Sequence, residues 1–369
     1  MKILFGVQGT GNGHISRSRT LARALRAAGV EVDYLFSGRP ADRYFDMEEF
    51  GEYRTFAGLT FVSHEGRVSP WRTLQAASPL TFWRDLQRLD CHGYDLVVSD
   101  FEPLTAHAAR RCGIPSLTVS HQASFNWPIP RWGEDGLSRQ LMRHFAPVNQ
   151  PLGLHWFHFG QPILPPVIDP VRVMPDNSEI LVYLPFEQTE AIAALLSRFG
   201  QQRFVCFHPA IRSPSQWRNL RFEPPSRPAF LTVLAGCRGV ISNAGFELAS
   251  EALSLGKKLL VKPLGGQFEQ LTNGKTLEMM GLATLMDYLD ANLVRSWLDS
   301  ASPGMVCYPD VARELASWLA AGAEESVSSL SRRLWGRTLF PEEVSDRLSE
   351  LEGGEGLSGC WLSQVSAVD

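Results

Sequence analysis

Near its start the chain reads FGVQGTGNGHISRSRTLARAL, from Phe5 to Leu25. An apolar run, Lys2 to Val7, has the length and composition of a buried strand. From Ile15 onward, Leu21, Ala22, Leu25 and Ala28 recur at helical spacing, predicting a helix over 16–28 that Gly29 ends. Gly9-Thr10-Gly11-Asn12-Gly13-His14 lies between them. A strand, a glycine loop and a helix N-terminus in this order suit an anion, because unpaired backbone N–H groups point at it. The spacing is not the G-x-G-x-x-G of dinucleotide folds, and no Gly-Lys-Ser or Gly-Lys-Thr of a P-loop follows. Gly11, Asn12 and Gly13 are therefore candidate ligand contacts, with a plain glycine-rich turn as the alternative. Arg17 and Arg19 fall in the expected first helical turn, where the helix dipole disfavours cations unless something negative is near. The negative partner is either a ligand or, for a solvated pair, absent.

The rest of the first half alternates. Strands are expected at 30–36, 95–100 and 115–121, and helices at 70–90 and 103–112, a pattern that argues for a parallel α/β sheet. Prolines crowd 146–179, which reads as a crossing between domains. Beyond it the alternation resumes with a strand at 180–186, a helix at 189–199 and a strand at 203–210. The expected organisation is an N-terminal domain over 1–160, a C-terminal domain over 161–322, and a partly helical tail over 323–369 with a helix at 325–335.

At 369 residues the chain has room for about two domains. A net charge of −4 speaks against a nucleic-acid binder, which is usually basic. The six cysteines form no C-x-x-C pair, so neither a zinc site nor a disulfide framework is expected and a reducing cytoplasm is the default. Met1 to Val7 is too short for the apolar region of a signal peptide. No stretch approaches the roughly 18 apolar residues of a membrane span.

The second half carries its own loop in GVISNAGFELASEALSLGKKLLVKPLGGQFEQLTNGKTLEMMGLA, 239–283. A strand at 239–242 leads through Asn243-Ala244-Gly245 into a helix at 246–255, closed by Gly256. A strand at 258–262 and a helix ending at Gly281 follow. Glu247 and Glu251 share one helix face, facing either solvent or a ligand hydroxyl. Gln267, Glu269, Gln270 and Asn273 gather at the carboxyl end of a strand, where α/β sheets bind ligands. One nucleotide-type loop per half points to a cleft between two domains.

These two stretches carry a resemblance. GTGNGH is similar to the glycine loop of the GT-B glycosyltransferases, with the peptidoglycan N-acetylglucosaminyltransferase and the UDP-sugar transferases as the nearest parallels. SNAGFELASEALSLGKKLLVKPLGGQFEQLTN resembles their donor-binding signature. The resemblance implies two Rossmann-like domains with parallel sheets facing a central cleft, and a UDP-sugar as donor substrate, N-acetylglucosamine being one candidate sugar. Carried over by position, Glu251 accepts from the ribose hydroxyls, Asn243, Ala244 and Gly245 line the diphosphate, and Glu269 with Gln270 reads the sugar. His14 is the general base, and Asp100 is the aspartate that pairs with it. Asn243 stands where many relatives have a histidine, and Glu247 where they have an asparagine.

The chemistry these residues allow is direct attack by an acceptor on an activated sugar, inverting the anomeric centre. No Asp-x-Asp stands at a strand end, so no metal and no cofactor is expected; helix N-termini would carry the leaving diphosphate. His14 is either the base or a phosphate contact, and Asp100 either its partner or an N-cap. His121, His155, His158 and His208 are expected to be satisfied structurally. The segments 67–89 and 128–145 mix arginine with large apolar residues, as in a peripheral membrane face meeting a lipid-linked acceptor or in ordinary helices with a solvated side. A sugar-nucleotide epimerase or hydrolase, or a non-catalytic nucleotide-sugar binder, would use the same donor cleft.

Overall fold

The computed structural model describes residues 1–59, 63–64, 67–68, 79–134 and 136–353. Its strands are β1 (Lys2–Gln8), β2 (Glu31–Ser37), β3 (Tyr53–Phe56), β4 (Ser63–His64), β5 (Arg67–Val68), β6 (Leu96–Asp100), β7 (Ser116–Ser120), β8 (Gln150–Gly153), β9 (Glu179–Tyr183), β10 (Arg203–Phe207), β11 (Ser215–Trp217), β12 (Leu220–Glu223), β13 (Gly239–Asn243), β14 (Lys258–Lys262) and β15 (Thr284–Leu285). Its α-helices are α1 (Asn12–Ala27), α2 (Pro79–Arg88), α3 (Pro103–Cys112), α4 (Gly136–Phe145), α5 (Thr189–Leu196), α6 (Arg227–Gly236), α7 (Phe246–Ser254), α8 (Phe268–Met279), α9 (Ala291–Asp299), α10 (Val311–Ala320), α11 (Val327–Trp335) and α12 (Glu342–Gly353).

Two sheets result, and they repeat one plan. The first runs β3-β2-β1-β6-β7-β8 and is parallel throughout. The second runs β12-β10-β9-β13-β14-β15 in parallel, with β11 added antiparallel at its edge. Each places its first strand beside its fourth, so the direction of winding reverses there and leaves a crevice at the strands' carboxyl ends. In the first sheet that crevice lies between β1 and β6, and in the second between β9 and β13. The glycine loop after β1 and the Asn-Ala-Gly loop after β13 each open onto one of them.

The strands are buried on both faces, as parallel strands covered by helices must be: Ile3, Leu4, Phe5 and Val7 of β1 are wholly inaccessible. The two halves are tied by more than the crossing segment. Helix α1 packs against α7 of the second half and against α10 near the chain's end. Ser331 Oγ and Trp335 Nε1, both on α11, donate to the Ile163 carbonyl at 2.7 Å.

The structure departs from the sequence reading at α1, β8 and β3, and two expected segments are described only in part. Helix α1 begins at Asn12 rather than Ser16, so Gly13 and His14 are helical and Arg17 and Arg19 stand in the second turn. No side chain caps this start, and that left no signal for it. β8 lies inside the proline-rich 146–179, and β3 lies in a stretch with no recognised alternation. The helix expected at 70–90 is seen as α2, with 70–78 outside the described residues. The expected tail is helical through α11 and α12, and 354–369 are likewise outside the described residues.

One glycine decides how closely α3 can approach the first sheet. A Cβ on Gly6 of β1 would lie 2.0 Å from Thr105 Oγ1 and 2.8 Å from Glu102 Oε2. Both side chains are buried and bonded to each other. Gly6→Ala is therefore expected to destabilise the fold by about 1–3 kcal/mol, the usual range for overpacking, as read from the denaturant midpoint. Adding Thr105→Ala should recover part of that loss, since the two residues are in direct contact.

Candidate active site

The loop after β1 and the end of β6 meet at His14. Its Nδ1 lies 2.7 Å from Asp100 Oδ1. An ionised carboxylate only accepts, so Nδ1 carries the proton and Nε2 is left as the basic nitrogen. Asp100 is completely buried, whereas 15% of the His14 side chain remains exposed. Burial by itself pushes the Asp100 carboxyl up; the Arg17 guanidinium, with His14, outweighs it and holds the group below the ordinary carboxylate range.

Arg17 makes the densest set of contacts in the site. Its Nε donates to Asp100 Oδ2 at 3.1 Å and its Nη2 to Asp100 Oδ1. Its Nη1 donates to Glu247 Oε1 on α7. Ser18 Oγ completes the shell with a 3.1 Å bond to Asp100 Oδ2. The negative charge that the arginines of this helix call for is thus supplied to Arg17 by the chain itself, from both halves. Arg19 is spent on the backbone, donating to the carbonyls of Asp46 and Phe45 at 2.8 Å each.

Asp100 is not an N-cap. That role falls to Glu102, whose carboxylate accepts from the amides of Leu104 and Thr105 at 2.8 and 2.6 Å. Glutamate is outside the usual N-cap set, so nothing in the sequence marked it. Burial, with no cation nearby to offset it, pushes the Glu102 carboxyl up despite bonds from Ser37 and Thr105.

Glu247 is not on a wet surface: it is buried, packed so close that a Cβ on Gly13 would lie 3.0 Å from its Cγ. Asn12 Nδ2 reaches the Tyr183 hydroxyl at 3.3 Å, and the Gly9 carbonyl accepts from Arg39 Nε. Gly11 is the residue before α1. Glu251 is also buried and gripped by Arg227, whose Nη2 and Nη1 lie 2.6 and 3.2 Å from its two oxygens. Burial works against the Arg227 cation, and Glu251 and Asp169 overcome it, holding its pKa above the usual arginine value.

In the second half, Gly245 precedes α7 without any side-chain cap, and α1 packs against this helix. Asn243 Nδ2 is committed to the Lys262 carbonyl at 2.9 Å. The Ala244 carbonyl accepts from Asn273 Nδ2 at 3.1 Å, and Asn273 Oδ1 faces His121 Nε2 at 2.7 Å across the two halves. Glu269 Oε1 accepts from Gln122 Nε2 at 3.0 Å, a second link across the halves. Gln270 Oε1 is taken up by the Leu264 amide at 2.9 Å, so it braces its own loop. Gln267 Oε1 is buried without a partner.

The structure thus brings Gly13, His14, Asp100 and Glu247 into one cluster, with Glu251 on the same helix and the 267–273 group on the next. Beside them a pocket opens between α1, α6 and α7, lined by Tyr183, Phe207, Phe230, Arg227, Glu247 and Glu251. The sequence reading missed its aromatic wall and Arg227, although Ser226 followed by Arg227-Pro228 is a legible helix start. The expectation for the other histidines holds for His121 and His208, whose ring nitrogens face partners. It fails for His155, whose Nε2 is buried with none. Among the described residues, Asp90, His92 and Cys112 are close enough to share a metal, but they precede β6 and β7, at the end of the sheet opposite the cleft.

A model of glycosyl transferase family 1 matches residues 1–301. The chain belongs to that family. No curated protein matches it. Among solved structures it is similar to the kitacinnamycin glycotransferase, with a TM-score of 0.55 and 15% identity over 95% of this chain and 98% of that one. The spinosyn forosaminyltransferase SpnP gives 0.55 and 14% over 96% and 100%. UGT89C1 of Arabidopsis thaliana, solved with UDP, gives 0.56 and 14% over 95% and 99%. The fold is GT-B, two parallel α/β domains facing a cleft, as expected from the two loops.

Because Asp100 titrates below its ordinary value of 3.8 in the folded chain, it contributes stability that is fully present above that pH. This contribution is lost as pH falls through the lower folded value. Asp100→Asn should therefore melt below the wild type at pH 7, yet lose less on acidification below pH 3.8. Melting temperatures across that range check the slope.

Proposed function

We propose that this family 1 glycosyltransferase moves a sugar from a UDP-linked donor to an acceptor hydroxyl, inverting the anomeric centre, with His14 as general base. The observation that carries this reading is the His14–Asp100 pair, which holds the imidazole in the tautomer whose Nε2 can take a proton. The acceptor O–H gives its proton to Nε2 as its oxygen attacks the anomeric carbon. The bond to the diphosphate breaks on the opposite face. Asp100 steadies the imidazolium without itself accepting the proton.

Support for the donor side comes from the pocket and from α7. Aromatic faces at Tyr183, Phe207 and Phe230 suit a nucleobase, and Glu251, oriented by Arg227, retains lone pairs for ribose hydroxyls. The uncapped start of α7 suits the diphosphate. The similar Arabidopsis thaliana structure was solved with UDP, which supports a UDP-sugar as the donor class to assay first. A thermal-shift panel of UDP, dTDP, GDP and ADP with their sugar conjugates identifies the base, because only a ligand of the native state raises the melting temperature.

The reaction is proposed to need no metal. The carboxylates nearest the loops are already engaged by cations, Asp100 and Glu247 by Arg17 and Glu251 by Arg227. Turnover in excess EDTA should persist; complete loss restored by magnesium or manganese would sink this part.

His14→Ala is expected to reduce transfer by roughly 10²–10⁴-fold, the usual worth of a positioned base, while leaving UDP affinity nearly intact. Calorimetry together with turnover separates the alternatives. If UDP binding is abolished and turnover at saturation barely changes, His14 is a phosphate contact and not the base.

A further inference from the structure

Arg17 belongs to neither of the two sequence motifs, yet it touches His14, Asp100 and Glu247 together. We infer that Arg17 is the positioning residue of the His14–Asp100 dyad, and that Glu247 tunes the dyad's charge from the opposite half. The inference rests on the dyad reading and deepens it.

The geometry is restrictive. Nε and Nη2 grip the two oxygens of Asp100 side-on, so the carboxylate cannot rotate. Asp100 Oδ1 then has one remaining direction in which to accept, and His14 Nδ1 occupies it. Arg17 Nη2 also lies 3.1 Å from His14 Nδ1. Since Nδ1 already donates to Asp100, this is a charge contact and not a second hydrogen bond. A cation at that distance opposes protonation of the imidazole.

Glu247 moderates that opposition. Its carboxylate pairs with the third arm of the guanidinium, and both partners are buried, with side-chain exposures of 2% and 9%. Such a pair is poorly screened. With His14 neutral, the cluster holds one guanidinium and two carboxylates; protonating His14 brings it to neutrality. Glu247 therefore favours the imidazolium, and Arg17 disfavours it. The remaining neighbours do not upset this balance. Ser18 is uncharged. Burial lowers the pKa of His121, with Arg17 adding to that and Glu269 opposing it, and its ring nitrogens are turned to Leu154 and Asn273. Because Glu247 comes from α7 and Arg17 from α1, the base has its full charge environment only when the two halves are together.

The test needs no acceptor. Histidine-labelled full-length protein is titrated by NMR, with the His14 signals assigned by their loss in His14→Ala. Arg17→Gln should raise the His14 midpoint by about one pH unit or more, the usual scale for a charge within a few ångströms. Glu247→Gln, which keeps the volume and loses the anion, should lower it. Opposite shifts are what a mere structural brace would not produce. Midpoints that stay put, or that move in the same direction, overturn the inference. Should Arg17→Gln not fold, Arg17→Lys takes its place. It keeps the charge but not the side-on grip, so the midpoint should stay near that of the wild type while the ring-nitrogen signals of neutral His14 move from the Nδ1–H tautomer toward the Nε2–H one. A Lys variant with the wild-type tautomer and a wild-type midpoint would show that the grip is not needed. The dyad reading fails separately, by undiminished transfer in His14→Ala, whichever way the midpoints move.

Discussion

A carboxylate kept ionised with no solvent exposure needs partners inside the protein, and Asp100 finds cationic ones in Arg17 and, when protonated, His14. This requirement organises the centre of the molecule. Arg17 is itself buried, and one carboxylate does not exhaust its five donors, so a second is drawn in from the other half as Glu247. Removing one partner of such a buried set typically costs 3–5 kcal/mol, because the remaining charge is stranded. The three groups therefore fix the rotation of α1 over the end of β6 and the approach of α7 toward α1. Gly13 permits that approach, since any side chain there would press on Glu247.

The two halves share a strand order but use their equivalent helix N-termini differently. The first turn of α1 carries Gly13 and His14, and Gly13 is pressed against the aliphatic stem of Glu247, so the space beside it is filled by protein. The first turn of α7 is preceded by Gly245 alone, with open space where a Cβ would point. The asymmetry divides the labour: one crevice supplies a proton acceptor, and the other supplies unpaired N–H groups for a leaving anion. Repetition of the fold brings the two together because both crevices lie at the carboxyl ends of their sheets.

Much of this was legible in the chain. β1, β6, β7, β9 and β14, with α3 and α7, appear within a few residues of where apolar runs and glycine stops put them, because buried parallel strands and short amphipathic helices write themselves into composition. β8 was hidden because proline and glycine in Gln150–Gly153 are strand-poor residues, tolerated at an edge that pairs on one side only. The site was legible as a pair of loops and less so as a network. His14 and Asp100 are separated by 86 positions, and only the adjacency of β1 and β6 brings them together. The pairing of Glu251 with Arg227 and of Gln270 with a backbone amide depends on loop paths that no periodicity encodes. Arg17 did leave a trace, since a cation near a helix start calls for an anion, but the sequence could not say that the anion comes from the protein.

The separation of Asp100 from Glu102 illustrates how a short segment is made to serve two ends. In an extended strand, residues two apart point to the same face, and two buried carboxylates side by side would repel each other. Phe101 prevents this by adopting φ of 52°, a left-handed conformation that bulky residues rarely take and that costs of order 1–3 kcal/mol. The turn sends Asp100 toward α1 and Glu102 into the N-terminus of α3, where the helix amides hold it. The Phe101 ring is held in place by Phe145, with centroids 4.9 Å apart, and lies nearly parallel to His14 at 6.5 Å. Backbone strain at one residue thus keeps the structural carboxylate and the dyad carboxylate apart, each with the partners its role requires. The ring that bears the strain becomes part of the wall beside the base.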